Sequence, residues 1–134
     1  MNVLFVCSGN IGRSQIAMEY FKRFSADHTA SAGTRVTVEG EELGVRDDAQ
    51  NVLEVMREDG IDMSENVRTT LTPTMLDDFD KVIVMAEPAR TPEWLSTSPK
   101  FEYWEVLNVN GMPNEQLRTV RDAIKLKVKQ LAQQ

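Results

Sequence analysis

Apolar and polar residues along the chain fall into blocks that predict strands alternating with helices. Residues 3–6 form a wholly apolar run, typical of a buried strand, and residues 80–86 contain a second one. From Ser14 onward the apolar residues recur at helical spacing, at Ile16, Ala17, Tyr20, Phe21 and Phe24. The first 24 residues are therefore predicted to form a strand, a loop and a helix.

The rest of the chain continues this alternation. Two shorter strands are predicted at 28–34 and 101–107, and helical patterns or start signals mark four further segments, at 47–60, 72–79, 91–95 and 114–134. Because the two best strands are apolar throughout, we expect a parallel sheet covered on both faces, which is an α/β fold. A chain of 134 residues suits a single domain that spans 1–134.

Charge and composition exclude several classes of function. The formal net charge of -6 disfavours nucleic-acid binding, which depends on neutralising phosphates. No apolar run approaches the roughly 18 residues that cross a membrane, and no basic segment precedes the first strand as in a signal peptide. Cys7 is the only cysteine, which excludes an internal disulfide and a cysteine-rich zinc site and fits the reducing cytoplasm. We also expect no other metal and no cofactor.

Cys7 lies at the carboxyl end of the first predicted strand, where open α/β sheets bind ligands. A loop that curls onto a helix start directs backbone N–H groups inward and adds the positive end of the helix dipole. Arg13 offers a planar guanidinium that matches two oxygens of a phosphate. The sequence therefore predicts an oxyanion-binding loop formed by Ser8, Gly9, Asn10, Ile11 and Gly12.

The same surroundings favour the thiolate form of Cys7, which is the nucleophilic form. The Ser14 hydroxyl can donate a hydrogen bond to that thiolate. The alternative is a buried thiol with no chemical role, but the adjacent glycines, Arg13 and Ser14 favour the nucleophile. Neither the Walker pattern nor the dinucleotide-binding glycine pattern is present.

The stretch "VLFVCSGNIGRSQIA" resembles the low-molecular-weight protein tyrosine phosphatases and the arsenate reductases that share their fold. The likeness covers nearly the whole chain and includes "SAGT" at 31–34, "VLEVMREDGIDMS" at 52–64, "LTPTMLDDFDKVIVM" at 71–85 and "YWEV" at 103–106. It implies a three-layer α/β sandwich with a four-stranded parallel sheet in the order 2-1-3-4 and helices on both faces.

The resemblance also implies roles for individual residues. Cys7 would be the nucleophile, Arg13 would hold the phosphate, and Ser14 would donate to the thiolate. Ser31 and the side chain at position 66 would hold Asn10 in a strained conformation. The family usually has His at that last position, whereas this chain has Asn66.

Three positions depart from the family pattern. The general acid of the family is an Asp in an Asp-Pro pair after the fourth strand, and this position falls on Asn108, which cannot donate that proton. Thr37 stands where an aromatic residue usually covers the phosphotyrosine ring, and Gly12 stands where many members have a second cysteine. A disulfide that protects the oxidised nucleophile is therefore not expected.

Other polar and aromatic residues are predicted to have ordinary structural roles. His28 is expected in an exposed loop, and Asp47 and Asp48 at a solvated helix start. For Arg68 we favour a surface position over the alternative that it faces the pocket. The aromatic residues outside the first helix that we expect to serve packing are Trp94, Tyr103 and Trp104.

The leading functional prediction is a cysteine-dependent phosphatase that hydrolyses phosphomonoesters, with a phosphorylated protein carrying phosphotyrosine favoured over a small phosphomonoester as partner. Gln15 supports an alternative, an arsenate reductase or arsenate–thiol transferase, because phosphatases of the family usually have Pro there. With one cysteine, such an enzyme would need an external thiol. Asn108 motivates a third hypothesis, a phosphate-binding module with little or no turnover.

Overall fold

A computed structural model describes residues 1–134 and contains one four-stranded parallel sheet in the order β2-β1-β3-β4. The strands are β1 (Val3–Cys7), β2 (Thr29–Gly33), β3 (Lys81–Val84) and β4 (Phe101–Tyr103). This confirms the predicted sheet and its strand order. Strand β4 is shorter than the predicted 101–107 because its only neighbour, β3, ends at Val84, whose carbonyl accepts a last hydrogen bond from Trp104 N–H at 2.9 Å.

The helices are α1 (Arg13–Phe24), α2 (Gln50–Arg57), α3 (Glu93–Ser96) and α4 (Asn114–Ala132). The predicted helix at 72–79 is instead a 3₁₀ segment, Pro73–Asp78, and Thr72 makes no side-chain capping hydrogen bond. The predicted segment 47–60 begins with a 3₁₀ turn, continues as α2 and closes at Gly60, whose φ of 78° suits glycine. No helix is both long enough and apolar enough to cross a membrane.

Alternate residues of the central strand serve two separate hydrophobic cores, which explains why β1 has no polar position. Phe5 packs in the larger core with residues of α1, α2 and α4. Leu4 and Val6 point to the other face, into a smaller core that the Pro73–Asp78 segment and α3 cover. The sheet is thus the middle layer of a sandwich, as predicted.

Trp104 is buried, as expected of a packing residue, but Trp94 and Tyr103 are 39% and 42% exposed. The prediction that these two serve packing is therefore wrong. Tyr103 ends the edge strand β4, and Trp94 belongs to the one-turn helix α3, so neither is covered by another element.

The carboxyl ends of β1 and β2 meet side by side, because Cys7 pairs with Gly33 in the parallel register. A Cβ atom at Gly33 would lie 2.5 Å from the carbonyl oxygen of Ser8, so only glycine allows this approach. The loop after β2 consequently lies against the loop after β1.

Candidate active site

The loop of residues 8–12 carries free backbone donors. None of its five N–H groups donates to a protein acceptor, and α1 begins directly after it with no side-chain cap at Gly12. The loop therefore presents unpaired N–H groups together with the positive end of a helix dipole. Such an arrangement binds tetrahedral oxyanions.

Asn10 holds the curl of this loop. Its φ of 58° makes it the only residue other than glycine with positive φ, and it is fully buried. Its amide nitrogen donates to the hydroxyls of Ser14 at 2.8 Å and Ser31 at 3.0 Å. Its amide oxygen accepts the N–H of Thr69 at 2.8 Å. These hydrogen bonds stabilise the left-handed backbone conformation of Asn10, which is unfavourable in free energy without them.

Asn66 supports Asn10 only through a third residue, which differs from the direct contact that the resemblance implied. Asn66 donates to the amide oxygen of Gln15 at 3.2 Å. The Gln15 nitrogen in turn donates to the backbone oxygen of Asn10 and to that of Val67, both at 3.1 Å. Gln15 is fully buried and fills the space between the two asparagines, so Asn66 cannot reach Asn10 itself.

The thiol of Cys7 is buried, and its sulfur lies 3.0 Å from the Ser14 hydroxyl oxygen. Because that oxygen already accepts from Asn10, the serine hydrogen is free to point at the sulfur. A chain of donors therefore runs from the Asn10 amide through the Ser14 hydroxyl to Cys7. It places a hydroxyl donor against the Cys7 sulfur.

Arg13 is held in one orientation by three hydrogen bonds. Nη1 donates to the carbonyl oxygens of Met85 at 2.6 Å and Val106 at 3.1 Å, and Nη2 donates to Glu87 at 2.9 Å. Of the five guanidinium hydrogens, the one on Nε and one on Nη2 keep no protein partner. Each of these two hydrogens can donate to an oxygen of a phosphate.

Glu87 stays ionised beside Arg13. Partial burial by itself raises the pKa of the Glu87 carboxyl, but the hydrogen bond and the charge of Arg13 outweigh burial and hold the pKa below its usual value. The carboxylate therefore acts as a fixed acceptor for Arg13 at neutral pH.

The cavity above Cys7 has a volume of about 260 Å³ and is strongly basic. Five arginines line it, although the chain as a whole carries an excess of acids: Arg13, Arg35, Arg46, Arg68 and Arg90. We call this space the first cavity. Its local charge attracts anions that the net charge of the protein repels.

Arg68 was assigned to the surface, and this prediction is wrong. Its side chain is 2% exposed, and its Nε donates to the carbonyl oxygen of Gly9 at 3.1 Å. Its Nη1 donates to Glu41 at 3.0 Å and to Thr37 at 3.1 Å. Thr37 therefore holds an arginine at the rim, where the family usually places an aromatic ring.

Asp48 is the only carboxylate that lines the first cavity, and it lies exposed beside Asp47 in the 3₁₀ turn that leads into α2, as predicted for a solvated helix start. Nε and Nη2 of Arg46 donate to the two carboxylate oxygens of Asp48, at 2.8 and 2.9 Å. These hydrogen bonds hold the pKa of the Asp48 carboxyl below its usual value. An acid that is ionised at neutral pH has no proton to give to a leaving group.

Comparison with known proteins decides the family. Residues 2–134 match the profile of the family described as low molecular weight phosphotyrosine protein phosphatase. The chain belongs to this family. Its fold and its Cys-x5-Arg-Ser loop are those of a cysteine-dependent phosphoric monoester hydrolase.

Individual relatives are named for two different activities, arsenate reduction and phosphatase activity. The chain is 31% identical over 130 residues to an arsenate reductase of Staphylococcus aureus strain Newman, which covers 94% of this chain and 92% of the relative. It is 32% identical over 131 residues to a glutaredoxin arsenate reductase of Synechocystis, with 96% and 94% covered. A solved arginine phosphatase from Geobacillus stearothermophilus is 25% identical, with a TM-score of 0.77 and coverage of 98% and 90%.

Two departures from the phosphatase pattern have a visible structural basis. A Cβ atom at Gly12, where many phosphatases of the family have a second cysteine, would lie 2.3 Å from Cγ2 of Val109. Val109 thus takes the space that a resolving thiol needs. Asn108 lines the first cavity, but its side-chain oxygen accepts the N–H of Asn110 at 3.1 Å and offers no acidic proton.

Sequence reasoning missed the arginines of the rim and the bridging role of Gln15. Each of these arginines lies in a connection at the carboxyl end of the sheet: Arg35 after β2, Arg46 and Arg68 between β2 and β3, and Arg90 after β3. The rule that parallel strands share one binding edge could have grouped Arg35 and Arg90 with Cys7.

Proposed function

We propose that the protein hydrolyses phosphomonoesters, with protein phosphotyrosine as substrate, through a phosphocysteine intermediate. The observation that carries this proposal is the position of Cys7, 3.0 Å from the Ser14 hydroxyl and beneath a loop of unpaired N–H groups. A single thiol that must remain reduced fits a cytoplasmic enzyme.

In the first step the Cys7 thiolate attacks phosphorus, the S–P bond forms and the ester P–O bond breaks. The loop N–H groups and the two unpaired hydrogens of Arg13 hold the non-bridging oxygens, where negative charge accumulates. In the second step water attacks the phosphocysteine, which releases phosphate and returns the electron pair to sulfur. Both steps use the same set of fixed donors, so the site needs no rearrangement between them.

The leaving oxygen receives no proton from a carboxylic acid of the site. Asp48 is ionised, Asn108 is an amide, and neither Glu105 nor Glu115 lines the first cavity. The proton must come from solvent, so the rate will depend strongly on the leaving group. Esters of acidic phenols will react far faster than those of ordinary phenols.

Hydrolysis of p-nitrophenyl phosphate tests the proposal, because its leaving group requires little protonation. The wild type is expected to release nitrophenolate, and Cys7→Ser is expected to abolish this release while still binding phosphate. Equal rates in the two proteins would contradict the phosphatase assignment. Tight phosphate binding without turnover in the wild type would instead indicate a phosphate-binding module.

Gln15 and the arsenate reductase relatives favour a second candidate function, thiol-dependent arsenate reduction. Gln15 is the buried bridge between Asn66 and Asn10, in a position where phosphatases of the family usually have Pro. In this reaction Cys7 displaces water from arsenate to form an S–As bond. An external thiol then attacks the Cys7 sulfur, so that two thiols become a disulfide and arsenic gains two electrons as arsenite.

Arsenate-dependent oxidation of glutathione, followed with and without a glutaredoxin, separates the two functions. Disulfide formation that requires both arsenate and Cys7 would establish the reductase. No thiol oxidation, together with Cys7-dependent nitrophenyl phosphate hydrolysis, would leave the phosphatase alone.

A further inference from the structure

A second cavity of about 500 Å³ adjoins the first one and shares two residues with it. The shared residues are Arg35 and Arg90, which form the wall between the two spaces. The far side of the second cavity is lined by apolar and small polar residues, among them Leu71, Pro73 and Trp94. A ligand bound over Cys7 would meet this second cavity as soon as it passed the two arginines.

Arg35 and Arg90 differ from the other arginines of the site in having no carboxylate partner. Arg13, Arg46 and Arg68 each form an ion pair, with Glu87, Asp48 and Glu41 respectively. Neither Arg35 nor Arg90 takes part in any ion pair, and both are exposed. The wall between the cavities therefore carries two guanidinium groups outside any ion pair, although Glu87 lies near enough to Arg90 for that charge to help lower the pKa of the Glu87 carboxyl.

Both arginines are attached to the loop that surrounds the substrate phosphate. Nη1 of Arg90 donates to the Ser8 hydroxyl at 3.1 Å, and the backbone N–H of Arg35 donates to the Ser8 carbonyl oxygen at 2.9 Å. An anion between their guanidinium groups would thus lie directly beside the bound phosphoryl group. A second charge on the substrate could occupy this place only if it were close to the phosphorylated group.

The walls of the second cavity are suited to a polypeptide rather than to a small anion. The indole of Trp94 is 39% exposed, and Pro73 and Pro92 flank it. A peptide would supply apolar surface to pack against these residues, as in other ligand sites that combine apolar walls with a few polar groups.

We propose that the second cavity binds an acidic segment of the phosphoprotein substrate, with a carboxylate side chain adjacent to the phosphorylated residue seated between Arg35 and Arg90. This inference rests on the proposed function and names the substrate class of the same site. The acidic protein as a whole repels such a segment, so the attraction comes from these two arginines and weakens with salt.

Equilibrium binding to the Cys7→Ser protein tests the inference without requiring turnover. The probes are two fluorescent phosphotyrosyl peptides of equal length, one with Glu and the other with Gln on both sides of the phosphotyrosine. We expect the acidic peptide to bind about tenfold more tightly at low salt. Adding Arg35→Gln or Arg90→Gln should reduce that ratio to about threefold, and the double change should reduce it to about one.

Arg118→Gln is the matched control, since Arg118 pairs with Glu58 and lines neither cavity. It should keep the full preference for the acidic peptide. Equal affinity for the two peptides, or a preference that survives the double arginine change, would overturn the inference. The inference would also be overturned if inorganic pyrophosphate displaced both peptides with equal efficiency and lost affinity in the double variant. The site would then be one for small bisphosphates. If the wild type fails to hydrolyse nitrophenyl phosphate, the proposed catalysis is rejected, but the comparison of the two peptide affinities can still be interpreted.

Discussion

Nη2 of Arg13 lies 2.9 Å from a carboxylate oxygen of Glu87, so an acid outside the loop orients a guanidinium that lines the first cavity with Cys7. Glu87 follows β3, whereas Arg13 starts α1 after β1. Strands β1 and β3 are neighbours in the sheet, and their carboxyl ends bring the two residues together. The sheet thus orients the group that we propose binds the phosphate oxygens.

Removing this partner should weaken oxyanion binding. In Glu87→Ala, Arg13 keeps only its two backbone acceptors, and we expect the inhibition constant for inorganic phosphate to rise about threefold to tenfold. Glu87→Gln keeps an acceptor in the same place and should show a smaller rise. If the alanine variant binds phosphate as tightly as the wild type, the orienting role of Glu87 is wrong.

Gln15 is expected to matter for both stability and activity. Gln15→Ala leaves the Asn66 amide and two backbone carbonyls without their partner, which should cost about 1–3 kcal/mol of the free energy of unfolding. By differential scanning calorimetry the Tm should fall by roughly 4–10 °C. The control Gln130→Ala, on the exposed side of α4, should change the Tm little. If the Gln15 variant is as stable and active as the wild type, the hydrogen bonds that link Asn66 through Gln15 to Asn10 are dispensable.

The contact between Gly12 and Val109 predicts a pair of compensating changes. In Gly12→Ala the new methyl group overlaps the Val109 side chain, so the 8–12 loop must shift and kcat/KM for nitrophenyl phosphate should fall about tenfold or more. Shortening the neighbour in the double variant Gly12→Ala/Val109→Ala should restore most of the loss. If the effects of the two changes on kcat/KM simply add, the overlap with Val109 is relieved in another way.

Asn108 gives a prediction about leaving groups. If this is the position of the family's general acid, Asn108→Asp should raise turnover of phenyl phosphate about tenfold to a hundredfold, while nitrophenyl phosphate hydrolysis changes little. Asn110→Asp is the matched control, because Asn110 lines the same cavity two residues further on. A larger gain from Asn110→Asp would move the acid position to that residue.

The sequence predicted the sheet and the loop at 8–12 because both are coded locally. Apolar residues at every position identified β1, and the glycines with Arg13 and Ser14 identified the loop. The predicted strand at 101–107 is longer than the observed β4, since the end of β4 is set by the length of β3 rather than by its own residues.

The surroundings of the loop could not be predicted in the same way. Arg68 and Gln15 become buried through contacts with segments more than 50 residues away in the chain, at Gly9 and Val67 respectively. No local pattern encodes such pairing, because loops follow paths that only the assembled sheet determines.

The measurement that tests the central claim most directly is detection of the covalent intermediate. Wild-type protein mixed with p-nitrophenyl phosphate, quenched within the first turnovers and digested, should contain one peptide, residues 1–13 or a shorter part, that carries a single phosphoryl group on the Cys7 sulfur by mass spectrometry. Cys7→Ser should show no such thiophosphate. Nitrophenolate release without any phosphocysteine, or phosphate found on another residue, would contradict the account.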